Sequence, residues 1–137
     1  MNDFNLLYHF VCLTKCQRVI TYDYIDEILI EICKGIEARY DYIEFLEIGA
    51  DKDNIHFLIL SLPNYSPLEI ITTVKAIIES RISVGYPELN RLLGDEPLWS
   101  DDFLVNTVDK YDYEQVIQEY VKNQGKQDEY KSIAISF

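Results

Sequence analysis

The sequence predicts an α+β fold in which an antiparallel sheet carries helices on one face. Runs with the apolar pattern of strands and runs with the spacing of amphipathic helices follow in the order strand, helix, strand, strand, helix, strand, helix. The first six elements match the split βαβ, or ferredoxin-like, arrangement. The 137-residue length fits one domain spanning residues 1–137.

The first half of the chain contains the first three strands and the first helix. Residues 4–14 are apolar, aromatic and partly β-branched, which is typical of a buried strand. Apolar residues then recur at helical spacing and predict a helix over 22–39, with Thr21 as its N-cap. Two strand-like runs follow, at 42–48 and 55–62, with a turn-rich segment between them.

The second half begins with a helix that Ser66 caps and that has Pro67 in its first turn. A connection rich in glycine and proline, residues 85–97, has room for one short helix. Residues 98–108 contain two short runs that predict the last strand of the ferredoxin-like unit.

A final helix is predicted from about Tyr113 to Gln124, because Asp112 is a good N-cap and Gly125 a good stop signal. Residues 126–137 are mostly polar and are interpreted as a C-terminal tail.

The composition limits the possible partners and location. Acidic residues number 24 and basic residues 12, so the formal net charge is −12, which by itself argues against a nucleic-acid partner. No apolar run approaches the ~20 residues that a membrane span needs. Three cysteines without a secretory signal predict reduced thiols in the cytoplasm. Zinc binding by Cys12 and Cys16 is disfavoured, because no second ligand pair follows.

Two pairs of polar residues could carry chemistry. Asn54 and His56 are two residues apart in a strand and therefore face the same side, where an amide oxygen and an imidazole could bind a divalent metal. Tyr120 and Gln124 are four residues apart and share one face of the last helix. Spacing alone also permits a hydrogen-bonded histidine at a sheet edge and an ordinary amphipathic helix. His9, in the first strand, receives no catalytic role.

Several segments, in this order, resemble the one-tyrosine transposases of the insertion sequence 200/605 family, within the HUH endonuclease superfamily. The matching segments are YHFVCLTK (8–15), DNIHFL (53–58), PNYS (63–66), YPEL (86–89), LWS (98–100) and VIQEYVKNQ (116–124). The resemblance extends over roughly residues 8–126, which is most of the chain.

The resemblance implies a DNA strand transferase. Tyr120 would attack a phosphodiester of single-stranded DNA, forming a 5′-phosphotyrosine and releasing a 3′-OH. His56 and Gln124 would hold a Mg²⁺ or Mn²⁺ ion, and Asn54 occupies the position of the second histidine ligand of the family. The C-terminal helix that carries Tyr120 would complete a site shared between the subunits of a homodimer.

The resemblance also implies single-stranded DNA with hairpin ends as the partner, bound by a basic surface. Lys15, Arg18 and Lys122 are the candidate DNA-binding residues. Two features favour an alternative: Asn54 replaces a metal-binding histidine, and the charge balance is acidic. The alternative is a catalytically weakened or inactive relative that acts as a dimeric DNA-binding or regulatory protein. A plain ferredoxin-like interaction domain is the third interpretation.

Overall fold

The computed structural model describes residues 5–108, together with the backbone of residues 132–134. The strands are β1 (Leu6–Thr14), β2 (Glu44–Asp51), β3 (Asn54–Ser61), β4 (Trp99–Val108) and β5 (Ser132–Ala134). The helices are α1 (Gln17–Ile20), α2 (Ile25–Arg39), α3 (Pro67–Gly85) and α4 (Pro87–Leu93).

The strands form one antiparallel sheet in the order β4-β1-β3-β2-β5. Without β5, this is the strand order of the ferredoxin-like unit, with β1 and β3 in the centre and β2 and β4 outside them. The predicted α+β fold is therefore confirmed.

Each strand divides its side chains between two faces, because successive residues point in opposite directions. One face carries Phe10 of β1 and Phe57 of β3, which are fully buried and opposite each other in the register. The helices α2 and α3 pack on this face through fully buried residues such as Leu29 and Ile71. The opposite face carries His9 and His56, and we call it the histidine face.

The start of α3 is confirmed in detail. The backbone N–H of Glu69 donates to the Ser66 hydroxyl over 3.1 Å, and the Glu69 carboxylate accepts from the Ser66 N–H over 3.0 Å. This reciprocal pair is a capping box, and Pro67 stands in the first turn because no hydrogen-bond donor is needed there.

The predicted capping role of Thr21 is wrong. Thr21 ends the short helix α1, where its hydroxyl donates to the carbonyl of Gln17 over 3.1 Å. The long helix α2 begins four residues later and has Tyr24 at its N-cap position, without a side-chain cap. A local hydrogen bond to the preceding turn therefore outcompetes capping of the following helix.

Other boundaries differ slightly from the prediction. The short helix in the connection after α3 is present as α4, and the two runs of the last strand are continuous in β4. Within the predicted tail 126–137, residues 132–134 pair with β2 as an edge strand. The predicted helix Tyr113–Gln124 lies outside the described residues.

The three cysteines are buried and free, as expected of small apolar core residues. Within residues 5–108 and 132–134, no helix is both long and apolar enough to cross a membrane.

Replacing Ser66 with Ala should lower the free energy of unfolding by about 1 kcal/mol, because it removes the acceptor for the Glu69 N–H. Chemical denaturation measures this loss directly. Ser83→Ala is the matched control, since Ser83 is an exposed residue inside the same helix and should be neutral or slightly stabilising. Equal losses in the two variants would contradict the capping box.

Candidate metal and DNA site on the sheet

The structure places Asn54 and His56 on the histidine face, as their spacing predicts. His56 lies opposite Val11 of β1 and opposite Gly49 of β2, so it stands in the middle of the sheet. Asn54 lies at the first position of β3, opposite Asp51 at the last position of β2. Both side chains are only partly buried and remain accessible.

His9 lies beside His56, which the sequence analysis did not anticipate. The two ring centroids are 5.6 Å apart and the ring planes meet at 61° in an edge-on arrangement. His9 is opposite Leu58 in the register, so the two histidines are diagonal neighbours on adjacent strands.

Burial controls the protonation of both imidazoles. It lowers the pKa of His9, and it is also the main cause of the lowered pKa of His56. His9 lowers the pKa of His56 further, whereas the Asp51 carboxylate raises it. Both rings are therefore neutral at pH 7, and a neutral imidazole is the form that binds a metal ion.

The donor atoms around Asn54 suit a hard divalent cation. Its amide nitrogen donates to the Asp53 carboxylate over 3.4 Å, so the amide oxygen is the atom that can bind a metal. Asp51 shares the histidine face and adds a carboxylate. Oxygen ligands together with one imidazole fit Mg²⁺ or Mn²⁺.

The described residues do not complete a metal site by themselves. Within residues 5–108, no three His, Cys, Asp or Glu side chains are grouped closely enough to hold an ion. An ion at His56 would therefore need the Asn54 oxygen and a ligand from elsewhere, and Gln124 is the predicted one. Tyr120, Gln124 and Lys122 lie outside the described residues.

Lys15 and Arg18 lie at the same end of the sheet as Asn54. They line an open cleft of about 460 Å³ together with Asp53, the residue before Asn54. The Thr14 hydroxyl and backbone N–H both donate to the carbonyl of Asp53, over 3.0 and 2.7 Å, and fix this end of β1 against the β2–β3 turn. Two of the predicted DNA-binding residues thus lie at the same end of the sheet as the predicted metal ligand Asn54, beside the β2–β3 turn.

Sequence reasoning missed His9, Gly49 and Asp51 as parts of this site. Gly49 and Asp51 share one face of β2 by their spacing, but only the register with β3 brings them opposite His56 and Asn54. The alternation of residues in the two strands that flank the turn indicates which side chains share a face. It does not identify the neighbours of each side chain, because that depends on the pairing register of the strands.

Glu47 is a partly buried carboxylate on the histidine face, opposite Leu58. Burial raises its pKa, so folding disfavours the charged form, and this unfavourable contribution grows as the pH rises through the raised pKa. We expect Glu47→Gln to be more stable than the wild type at pH 7.5, with an advantage that shrinks towards pH 4.5. Chemical denaturation at both pH values tests this, and an advantage that grows on acidification would contradict it.

Comparisons with known proteins show the family and the fold to which this chain is similar. Residues 2–124 match the family described as "Transposase IS200 like". A crystal structure of a candidate transposase from Deinococcus radiodurans R1 has 24% identity and a TM-score of 0.66, and the match covers 90% of this chain and 93% of that one. A REP-associated tyrosine transposase bound to a REP hairpin has 13% identity and a TM-score of 0.53, covering 86% and 68%.

No curated protein matches the chain significantly. At these identities the two structures establish the shared fold, and the family match spans nearly the whole chain. The chain belongs to the IS200-like transposase family.

Proposed function

We propose that this protein cleaves and rejoins single-stranded DNA in a metal-dependent reaction, with Tyr120 as the nucleophile. The observation that carries the proposal is the accessible pair Asn54 and His56 on the histidine face, in a chain of the transposase family. The neutral imidazole of His56, beside amide and carboxylate oxygens, is the kind of donor set that binds a divalent ion.

The proposed step exchanges one phosphodiester for another. The Tyr120 oxygen forms a bond to the scissile phosphorus, the bond from phosphorus to the 3′ oxygen breaks, and the 3′ oxygen leaves as a hydroxyl after taking up the phenol proton. The product is a 5′-phosphotyrosine. A 3′-OH from another DNA end reverses the step and completes strand transfer.

His56, Asn54 and Gln124 would hold a Mg²⁺ or Mn²⁺ ion, and Asp51 is the further oxygen donor on the same face. When bound, such an ion stabilises negative charge on the scissile phosphate and on the attacking phenolate. An unperturbed tyrosine has a pKa of about 10, so Tyr120 would depend on this stabilisation for reactivity at neutral pH.

The proposed substrate is single-stranded DNA with hairpin ends. The REP-associated transposase that shares this fold is bound to a hairpin, and Lys15 and Arg18 border the Asn54 end of the sheet here. Lys122 would lie on the helix of Tyr120. In a homodimer, that helix would complete the site of the partner subunit.

A second candidate function is DNA binding without cleavage. In this case the protein is a catalytically weakened or inactive family member that binds hairpin DNA as a dimer. Asn54 favours it, because an amide oxygen replaces an imidazole and holds a transition-metal ion less tightly. The protein would bind the same DNA in both cases. The two candidate functions differ in whether a covalent protein–DNA intermediate forms.

Incubation of the full chain with labelled hairpin DNA and Mn²⁺ should yield a covalent protein–DNA adduct on a denaturing gel. Tyr120→Phe should abolish the adduct, because it removes the attacking oxygen. Asn54→His should increase the rate of adduct formation by restoring an imidazole ligand.

Comparison of the wild type, Tyr120→Phe and Asn54→His distinguishes the two candidate functions. Absence of an adduct with wild type, together with its appearance in Asn54→His, would assign the second function. If neither protein forms an adduct although both bind the hairpin, the proposed cleavage is wrong.

Lys15→Ala should weaken hairpin binding and reduce the slope of log Kd against log salt by about one, as expected for loss of one phosphate contact. Fluorescence anisotropy at several salt concentrations measures both quantities. Lys34→Ala is the control, since Lys34 is exposed on α2, which packs on the other face of the sheet. An equal reduction in the two variants would mean that Lys15 contributes only to the overall charge.

A further inference from the structure

Gly49 makes room for the His56 ring. A Cβ atom built on Gly49 would lie 2.0 Å from Nε2 of His56, 2.6 Å from Cε1 and 2.8 Å from Cδ2. These distances are far inside van der Waals contact, so the imidazole occupies the volume that any other side chain would fill. The Gly49 backbone is not in the left-handed region, which leaves the missing Cβ as the reason for a glycine here.

His9 restricts the same ring from the neighbouring strand on the other side of β3. Its ring meets that of His56 edge-on, with 5.6 Å between centroids. Gly49 belongs to β2 and His9 to β1, so the two residues constrain the imidazole from both flanking strands.

We infer that Gly49 and His9 are positioning residues that fix the direction of the His56 imidazole on the histidine face. Strand alternation determines only the side of the sheet on which His56 lies. The space above Gly49 takes the ring over β2, the strand that also carries Asp51 on this face. The His56 ring therefore lies on the β2 side of β3, on the face that also carries Asp51. This inference deepens the proposed metal-dependent function and rests on it.

Gly49→Ala is the direct test. In metal-free protein, nuclear Overhauser contacts between the His56 ring protons and residue 49 should be present in wild type and lost in the variant. The variant should bind Mn²⁺ at least about tenfold more weakly, measured by the free-ion signal in electron paramagnetic resonance. Gly35→Ala is the matched control, because a Cβ there would lie 3.4 Å from the flexible end of Arg81. It should change Mn²⁺ affinity less than twofold.

A pair of His9 variants tests the second contact. His9→Ala should weaken Mn²⁺ binding several-fold, whereas His9→Phe keeps a ring edge against His56 and should restore most of the affinity. A merely structural requirement for a polar histidine would give the opposite order.

The double variant Gly49→Ala/His56→Ala covers the case in which Gly49→Ala unfolds. Removing the imidazole removes the clash, so the double variant should recover the melting temperature that the single variant loses. The inference is overturned if the double variant recovers no stability, or if folded Gly49→Ala keeps the wild-type ring contacts and Mn²⁺ affinity. Failure of wild type to bind Mn²⁺ or form an adduct would instead refute the proposed function, while the metal-free ring contacts still decide the positioning.

Discussion

The pairing of β1 with β3 in the centre of the sheet determines where every other part of the molecule lies. In this register Phe10 faces Phe57 on the helix side, and the residues that precede them, His9 and His56, lie on the histidine face. A slip of one residue in either strand would exchange the two sets, putting an imidazole into the core and a phenylalanine on the surface. The same register that buries the core therefore presents His56, and the fold and the site cannot vary independently.

The acidic composition has a structural use on the helix side of the sheet. The Glu37 carboxylate of α2 accepts from the N–H of Phe45 over 2.7 Å, where β2 begins. Glu79 of α3 accepts from the N–H of Leu98 over 2.7 Å, just before β4. These carboxylates tie helices to the ends of strands by charge-assisted hydrogen bonds.

These hydrogen bonds give part of the net charge of −12 a structural role. Part of the excess acidity serves the packing of helices against the sheet, on the side away from His56. The histidine face nevertheless carries Asp51 and Glu47, so the proposed DNA binding would rely on the few cations at the Asn54 end, Lys15 and Arg18 among them. Binding through so few cations would be weak, and its dependence on salt would be shallow, because the salt slope is proportional to the number of phosphate contacts.

Much of the fold follows from the sequence, because alternation and helical spacing are local properties. The order of the first four strands and the two long helices, the Ser66 cap and the common side of Asn54 and His56 were predicted correctly. The contact of His9 with His56 could not be predicted, since it depends on the register of strands more than forty residues apart.

The failure at Thr21 has a different physical origin. A threonine hydroxyl can either cap the helix that follows or bond back to the preceding turn, and the sequence pattern does not distinguish these options. The role of Gly49 could not be predicted for a third reason. The absence of a side chain at this position has a meaning only when it is known that His56 lies opposite it on the adjacent strand. The roles of Tyr120 and Gln124 stay predictions, as both residues lie outside the described part of the chain.

The central claim is that the Asn54 end of the histidine face binds the metal. Paramagnetic broadening of backbone amide signals during a Mn²⁺ titration of the full chain tests it most directly. The account predicts that Gly49, Asp51, Asn54 and His56 broaden at the lowest Mn²⁺ concentrations. First broadening at Glu37, Asp41 and Glu44, which line an open cleft of about 410 Å³ at the other end of the sheet, would contradict it.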